Sequence, residues 1–421
     1  MANILLLGKG ISNNALNQFM IKYSIEHDYL KIEEVKRYDY DLVIKSPGLY
    51  YDDEVIKRFI TNGVEIITDI EFIYWFLNKG YIGITGTNGK TTTTYLITDI
   101  LNTKYTAISC GNCGYPISQA ALDYRLYKYF VVELSSFQLK GIKKFAPKIA
   151  VVTNIKQAHL DYHKSVEDYY KSKVNITKNQ TKQDYLVLNI DDTNSMLLFK
   201  NSEAMKVTYS LLNKGATAYF YKGNFYYKKT KVCNIKCLNN TTDMFKYDVL
   251  AAICVAKILD IENKYIIKAL KNFKFIKYRL EEVYKNIYND AKSTNIYSTI
   301  SALNEFKDKK VLLICGGYDR KEDLQGLDDF ISNIVKVYAY GATKEKLHNY
   351  FKKKKIEIII CNDLKDATIS ALNDMKEEIL LYSPMFASYD QYSSYEQRGK
   401  EFNQIILSYF NKSWNPIIDD M

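Results

Sequence analysis

Thirteen residues, Gly80-Tyr-Ile-Gly-Ile-Thr-Gly-Thr-Asn-Gly-Lys-Thr-Thr92, leave this chain few folds to choose from. An apolar run predicts a strand, a glycine-punctuated turn follows, and a helix begins near Lys90. In that arrangement backbone N–H groups and a lysine cradle a nucleotide's phosphates. Gly86 and Gly89 can take backbone angles closed to other residues and put no Cβ in the way of phosphate oxygens. The new helix adds unpaired N–H groups and the positive end of its dipole. Lys90 would reach the β and γ phosphates, Thr91 would offer a hydroxyl to Mg²⁺, and Thr87, Asn88 and Thr92 complete the cradle. The general pattern has a glycine five positions before Gly89, where this chain has Ile84. That departure argues against a GTPase or kinase loop and leaves phosphate binding intact, so the chain is expected to use ATP.

A strand feeding such a helix belongs to a parallel sheet, and 421 residues at 47% hydrophobic content suffice for about two to four domains. The amino-terminal Met1-Ala-Asn-Ile-Leu-Leu-Leu-Gly8 has too short an apolar run, and no basic flank, for a signal peptide. No segment approaches ~18 consecutive apolar residues, so the expectation is a cytoplasmic protein without a membrane span. Seven cysteines fit reduced thiols, and the Cys110/Cys113 and Cys233/Cys237 pairs are too far apart in sequence to suggest zinc. The net charge of +10 comes from lysines interleaved with 48 acidic residues. This argues against nucleic acid and suits a polyanionic small molecule.

Three blocks emerge: 1–79, 80–275 and 276–421. The first opens with strand Ile4 to Leu7 and Gly8-Lys-Gly10-Ile-Ser-Asn13, a dinucleotide-type start with Asn13 in place of the third glycine, then a helix from Ala15. Strand Asp41 to Lys45 runs into Ser46-Pro47-Gly48, and strand Val64 to Thr68 precedes a turn at Asp69-Ile70-Glu71. In the second block, strands Phe130 to Leu134 and Ile149 to Asn154 end in polar residues that should converge on the phosphate loop, as a metal-nucleotide site requires. Tyr219 to Lys231 reads as hairpin strands. The third block alternates strands Val311 to Cys315, Val337 to Tyr340, Ile356 to Cys361 and Ile379 to Tyr382 at α/β spacing. The expected fold class is α/β in three domains: Rossmann-like, central P-loop ATPase-type with a parallel or mixed sheet, and Rossmann-like again.

Six ordered stretches carry a resemblance: Gly86 to Thr92, Gly111-Asn112-Cys-Gly114, Glu133-Leu-Ser-Ser-Phe-Gln-Leu139, Asn154 to Asp161, Asn289 to Asn295 and Ser383 to Gly399. Together they resemble the Mur ligases of peptidoglycan precursor synthesis, and most of all their D-glutamate-adding branch, the MurD family. The resemblance implies that ATP activates the terminal carboxylate of UDP-MurNAc-L-Ala as an acyl phosphate, which the amine of D-glutamate then attacks. It further implies that the third block closes over the second, so that the acyl phosphate is shielded from water.

The same likeness assigns roles. Lys90 would stabilise the transferring phosphoryl group; Thr91 and Glu133 would serve one Mg²⁺, and His159 a second together with Lys173 in carbamylated form. Arg279 and Asp290 would join Asp248 at the nucleotide, with Arg279 and Lys292 at the reaction centre. Lys292, Thr294, Arg320, Ser383, Ser388 and Tyr392 would hold D-glutamate, with Arg320 where the family usually has lysine. Gly10, Ser12, Asn13, Ser46 and Asn112 are the candidates for the UDP-sugar path. Departures fall at Met244, Phe245 and Asp248, where the family has other residues near adenine, and at Ala158, where it commonly has aspartate. The partners expected are these small molecules alone, acting on a monomer. Another Mur ligase, a folylpolyglutamate synthase and a non-catalytic ATP-binding regulator are the alternative readings.

Overall fold

The computed structural model describes residues 3–158, 162–274, 277–320 and 324–412. His159 and Asp161, and the expected block boundary at 275/276, lie outside the described residues. The chain packs as two compact units, Met1–Gln157 with Tyr162–Phe273 and Ala158–Asp161 with Lys274–Met421.

The first unit holds two sheets. Strands Asp28–Leu30, Ile4–Leu7, Leu42–Lys45 and Glu65–Ile67 lie side by side in that order, all parallel. The second sheet has nine strands. Its parallel body runs Met205–Ser210, Tyr185–Asn189, Ile149–Val152, Gly80–Thr85, Tyr129–Glu133, Ala107–Gly111. Ala218–Tyr221 joins it in parallel, and Asn224–Tyr227 and Thr230–Asn234 extend the edge as antiparallel hairpins. One apolar core runs through both sheets, from Leu6, Leu16, Phe19 and Ile70 to Tyr81, Phe130 and Phe145.

The second unit has six strands in the order Glu281–Tyr284, Ile287–Asn289, Ile379–Tyr382, Val311–Gly316, Ile334–Tyr340, Glu357–Ile360, parallel except for the first pair. The α/β class expected from the sequence is the one observed. In each sheet the strand order reverses beside one strand: Ile4–Leu7, Gly80–Thr85 and Val311–Gly316. Each of these runs into a glycine turn, which opens a crevice at the strand's carboxyl end.

Two local readings change. The turn expected at Asp69-Ile70-Glu71 is the first turn of helix Asp69–Phe76, where both acids face the positive end of the dipole. The helix expected from Ala15 begins at Ile11, since Asn13 Nδ2 donates to the Leu7 and Ile44 carbonyls and pins the first turn on the strand ends. No helix among the described residues is long and apolar enough to cross a membrane. All seven cysteines are free thiols, and no cluster of three or more metal-ligating side chains occurs among the described residues.

Candidate active site

The phosphate loop is built as its glycines require. Gly86 sits at φ +150°, and a Cβ there would lie 1.9 Å from Thr153 Oγ1; Gly89, at φ +81°, caps the Lys90–Leu101 helix. The end of the neighbouring Ile149–Val152 strand fixes the loop from the side. Thr87 N–H donates to the Asn154 carbonyl (2.8 Å), and Asn88 N–H donates to Asn154 Oδ1 (3.0 Å). Thr153 Oγ1 and Asn154 Nδ2 donate to the Asn88 carbonyl at 2.6 and 3.1 Å. Thr87 Oγ1 receives Lys156 N–H and lies 3.0 Å from Tyr169 Oη. Lys90 Nζ folds back on the Thr87 carbonyl (2.9 Å). Thr91 is half-buried and Thr92 buried in the first helical turn.

Two charged side chains converge on this loop. Lys173, on helix Val166–Val174, is buried and donates to the Gly86 carbonyl at 2.9 Å. Burial, then the neighbouring Lys90, holds its amine well below the usual lysine range, while Glu133 pulls the other way. Glu133 is buried at the end of its strand, where Oε1 accepts from Asn112 Nδ2 at 2.7 Å. The Asn112 N–H also reaches the Glu133 carbonyl (2.9 Å), and a Cβ on Gly111 would stand 2.3 Å from that oxygen. Asn112, expected on the sugar path, is thus tied to the acid. Asp248 is buried on helix Asp243–Ile258, its Oδ1 accepting from Thr93 Oγ1 at 2.8 Å. Phe245 of the same helix stacks on Phe273, at 5.6 Å between centroids.

Sequence reasoning missed His163. Its ring nitrogens lie 2.9 Å from Ser136 Oγ and 3.2 Å from Asp168 Oδ2, and Lys140 Nζ pairs with Asp168 at 2.7 Å. The outline is that of a hydrolase relay. However, Ser136 is buried, and burial pushes His163 down to about 4, so the ring stays neutral. The network instead links the Glu133 strand end to the Lys173 helix.

At the first sheet's crevice, a Cβ on Gly10 would lie 2.8 Å from Ser46 Oγ and one on Gly8 3.0 Å from Ser46 Cβ, so the Gly8-Lys-Gly10 turn and Ser46 meet. Ser12 is half-buried in the first helical turn. Asn13 is turned inward and buried, so it holds strand ends together rather than facing the crevice.

In the second unit, Asp290 is buried and accepts from the hydroxyls of Ser293 and Ser383, the latter at 2.8 Å. Burial raises its pKa, while Arg279, Ser293 and Ser383 lower it. Arg279 Nη1 donates to Ser293 Oγ (3.4 Å). Lys292 Nζ donates to Tyr395 Oη at 3.1 Å. Ser383 is also 2.8 Å from Thr299 Oγ1, and Ser388 is buried, its carbonyl accepting Tyr392 N–H. Thr294 is half-buried. The Arg320 guanidinium stands 5.3 Å from the Tyr389 ring centre. Arg398, another residue without an assigned role in the sequence, is fully buried and donates to the carbonyls of Ala291, Phe386 and Ala387, binding the 290–295 and 383–388 stretches together. A cation inside the motif closing on Gly399 was the only sequence signal for it.

Three α/β sheets with a phosphate loop at the switch point of the second define an α/β nucleotide-binding protein. Residues 84–256 match the model of the Mur ligase middle domain. The MurF ligase of Thermotoga maritima in complex with ADP shares the fold at TM-score 0.64 and 16% identity, over 97% of this chain and 96% of that one. A pseudomurein peptide ligase type C from Methanothermus fervidus does so at TM-score 0.64 and 18% identity, over 97% and 100%. The UDP-N-acetylmuramoylalanine--D-glutamate ligase of Geobacillus sp. (strain WCH70) is 37% identical over 371 residues, 86% of this chain and 82% of that protein. The enzyme of the same name from Enterococcus faecalis (strain ATCC 700802 / V583) is 36% identical over 377 residues, 87% and 83%. The chain belongs to the UDP-N-acetylmuramoylalanine--D-glutamate ligase family.

Proposed function

We infer that this chain joins D-glutamate to UDP-MurNAc-L-Ala with ATP in cytoplasmic peptidoglycan precursor synthesis, a single chain being the active unit. The observation that carries the reading is the phosphate loop with Lys90, Lys173 and Glu133 gathered around it, in a chain of this family. The blocks 1–79, 80–275 and 276–421 are read as the UDP-sugar, ATP and amino-acid domains.

A carboxylate is a poor electrophile until one oxygen becomes a good leaving group. The substrate carboxylate attacks the γ-phosphorus of ATP, ADP leaves, and an acyl phosphate forms. The amine of D-glutamate then attacks the carbonyl carbon, expels phosphate and loses a proton. The protein's contribution is positioning and charge stabilisation. The loop amides of 86–92 hold the phosphates, and Lys90 swings from the Thr87 carbonyl to the γ-phosphate. Arg279 and Asp290 are assigned to the nucleotide, and Lys292 with Thr294, Arg320, Ser388 and Tyr392 to the amino acid. Ser383, buried on Asp290, is assigned to shaping that pocket.

The oxygen donors at the loop suit a hard cation, which would complete its shell with substrate phosphate oxygens and water. Thr91 and Glu133 would hold one Mg²⁺ and His159 with carbamylated Lys173 a second, supplying charge neutralisation on the phosphates. The depressed pKa of Lys173 supports carbamylation. A neutral Nζ attacks the carbon of CO₂ and releases a proton, turning a buried base into an anion.

The test is phosphate release from ATP and Mg²⁺ with UDP-MurNAc-L-Ala, comparing D-glutamate, L-glutamate and meso-diaminopimelate, with Lys90→Ala as control. Release that needs both the nucleotide sugar and D-glutamate, and that vanishes in the control, supports the reading. Release with another amino acid moves the chain to a sister activity, and ATP binding without release favours a regulator.

A further inference from the structure

Lysine is the wrong residue for its place at Lys45. It ends strand Leu42–Lys45, is buried, and follows three buried apolar residues. Its three N–H donors are taken up by three carbonyls of the next turn, Ser46 (3.2 Å), Pro47 (3.3 Å) and Leu49 (2.8 Å), and its ammonium stands 4.5 Å from the Tyr51 ring centre. Tyr162, just past the stretch that carries His159, directs its hydroxyl to two of the same carbonyls, Pro47 (3.3 Å) and Leu49 (3.0 Å). The Tyr162 ring is stacked on Tyr50 at 4.9 Å and lies 4.0 Å from Phe137, which follows the Glu133 strand end. The turn bearing Ser46 is therefore held by one ammonium and by Tyr162, whose ring packs on Phe137 beyond the Glu133 strand end.

We propose that Lys45 is a positioning residue for the sugar-nucleotide site, its ammonium and the Tyr162 hydroxyl together fixing the 46–49 turn in register with the loops of the ATP and metal site. The proposal rests on the reading of Ser46 as part of the UDP-sugar path. A neutral amine keeps two N–H donors and cannot hold three carbonyls, so the turn loosens when Lys45 loses its proton. Burial, then Lys140, brings Lys45 down to about 7, with Asp69 opposing. Asp69, Lys140, Tyr51 and Tyr162 are the other charged or titratable groups around it. Asp69 titrates near 6, Lys140 is paired with Asp168, and the Tyr51 and Tyr162 hydroxyls are pushed above their usual range by burial.

The experiment measures the KM values for UDP-MurNAc-L-Ala, ATP and D-glutamate in wild type, Lys45→Met and Tyr162→Phe between pH 6 and 8.5, with calorimetric binding of the nucleotide sugar in parallel. The expected result is a KM for the nucleotide sugar raised roughly tenfold in Lys45→Met, the equivalent of about one hydrogen bond, with the other two KM values unchanged. Wild type should approach the variant's KM as pH rises through 7, the Lys45→Met profile should be flat, and Tyr162→Phe should shift KM in the same direction. Unchanged KM and pH profile in a folded Lys45→Met, or an equal loss in all three KM values, overturns the proposal. If Lys45→Met does not fold, an unaltered KM in Tyr162→Phe together with a flat wild-type profile overturns it. Failure of wild type to bind the nucleotide sugar at all sinks the sugar-path reading, and this proposal with it.

Discussion

Gly89→Ala is a quantitative test of how the phosphate loop is built. Gly89 sits at φ +81°, and an added Cβ would lie 2.6 Å from Asp248 Oδ1, the atom that accepts from Thr93 Oγ1. Placing an L-residue in the left-handed region costs about 1–2 kcal/mol. Driving the carboxylate away breaks a buried hydrogen bond worth about 1.5–3 kcal/mol. The sum is a destabilisation of about 2.5–5 kcal/mol, large for one methyl group. Urea titration with native-state hydrogen exchange of the Asp243–Ile258 helix reads the loss within this unit. The two contributions separate in a double-mutant cycle. In an Asp248→Ala background only the backbone strain of about 1–2 kcal/mol should remain, giving a coupling of about 1.5–3 kcal/mol. A loss below about 0.5 kcal/mol, or the same loss in both backgrounds, would refute the reasoning.

Further expectations follow from other contacts. Lys173→Ala should lose most phosphate release, and wild type stripped of CO₂ should lose activity that bicarbonate restores; activity indifferent to CO₂ would remove the carbamate. Asn112→Ala removes the amide on Glu133 Oε1 and should raise the Mg²⁺ concentration for half-maximal activity by about tenfold, while leaving ATP binding without metal unchanged. Arg398→Met should raise KM for D-glutamate more than for ATP, since its guanidinium joins Ala291 to Phe386 and Ala387; equal changes would make it purely structural. Lys45 also predicts a pH dependence of stability. Its folded pKa of about 7 lies below the ordinary 10.5, so above pH 7 the unfolded chain binds more protons and stability rises with pH. Between pH 7 and 9, wild type should gain about 2.5 kcal/mol relative to Lys45→Met, measured by denaturant unfolding at each pH.

The strands and their turns were legible in the sequence because each is coded locally. Gly86 and Gly89 announce a backbone that other residues rarely adopt, and apolar runs of four to six residues that end in polar clusters read as buried strands. The convergence of Glu133 on the loop was legible as well, since strand ends in a parallel sheet share one edge, whereas Lys173, on helix Val166–Val174, was placed only by the family resemblance. Asn13 and Ser383 were less legible: polar residues beside a glycine turn look like ligand contacts, and only packing shows them buried on carbonyls or on Asp290.

What the sequence determined by itself is the central strands of each sheet, the glycine turns that follow them, and the family. What only the tertiary structure decided is where long-range polar partners fall. Lys45 on three carbonyls with Tyr162, His163 between Ser136 and Asp168, and Arg398 across two motifs each join residues far apart in the chain or at odds with their local pattern. The reason is physical. A turn needs only its own residues to be satisfied, whereas a buried cation or imidazole is stable only where packing encloses it together with its acceptors, near in sequence for Lys45 and distant for His163 and Arg398.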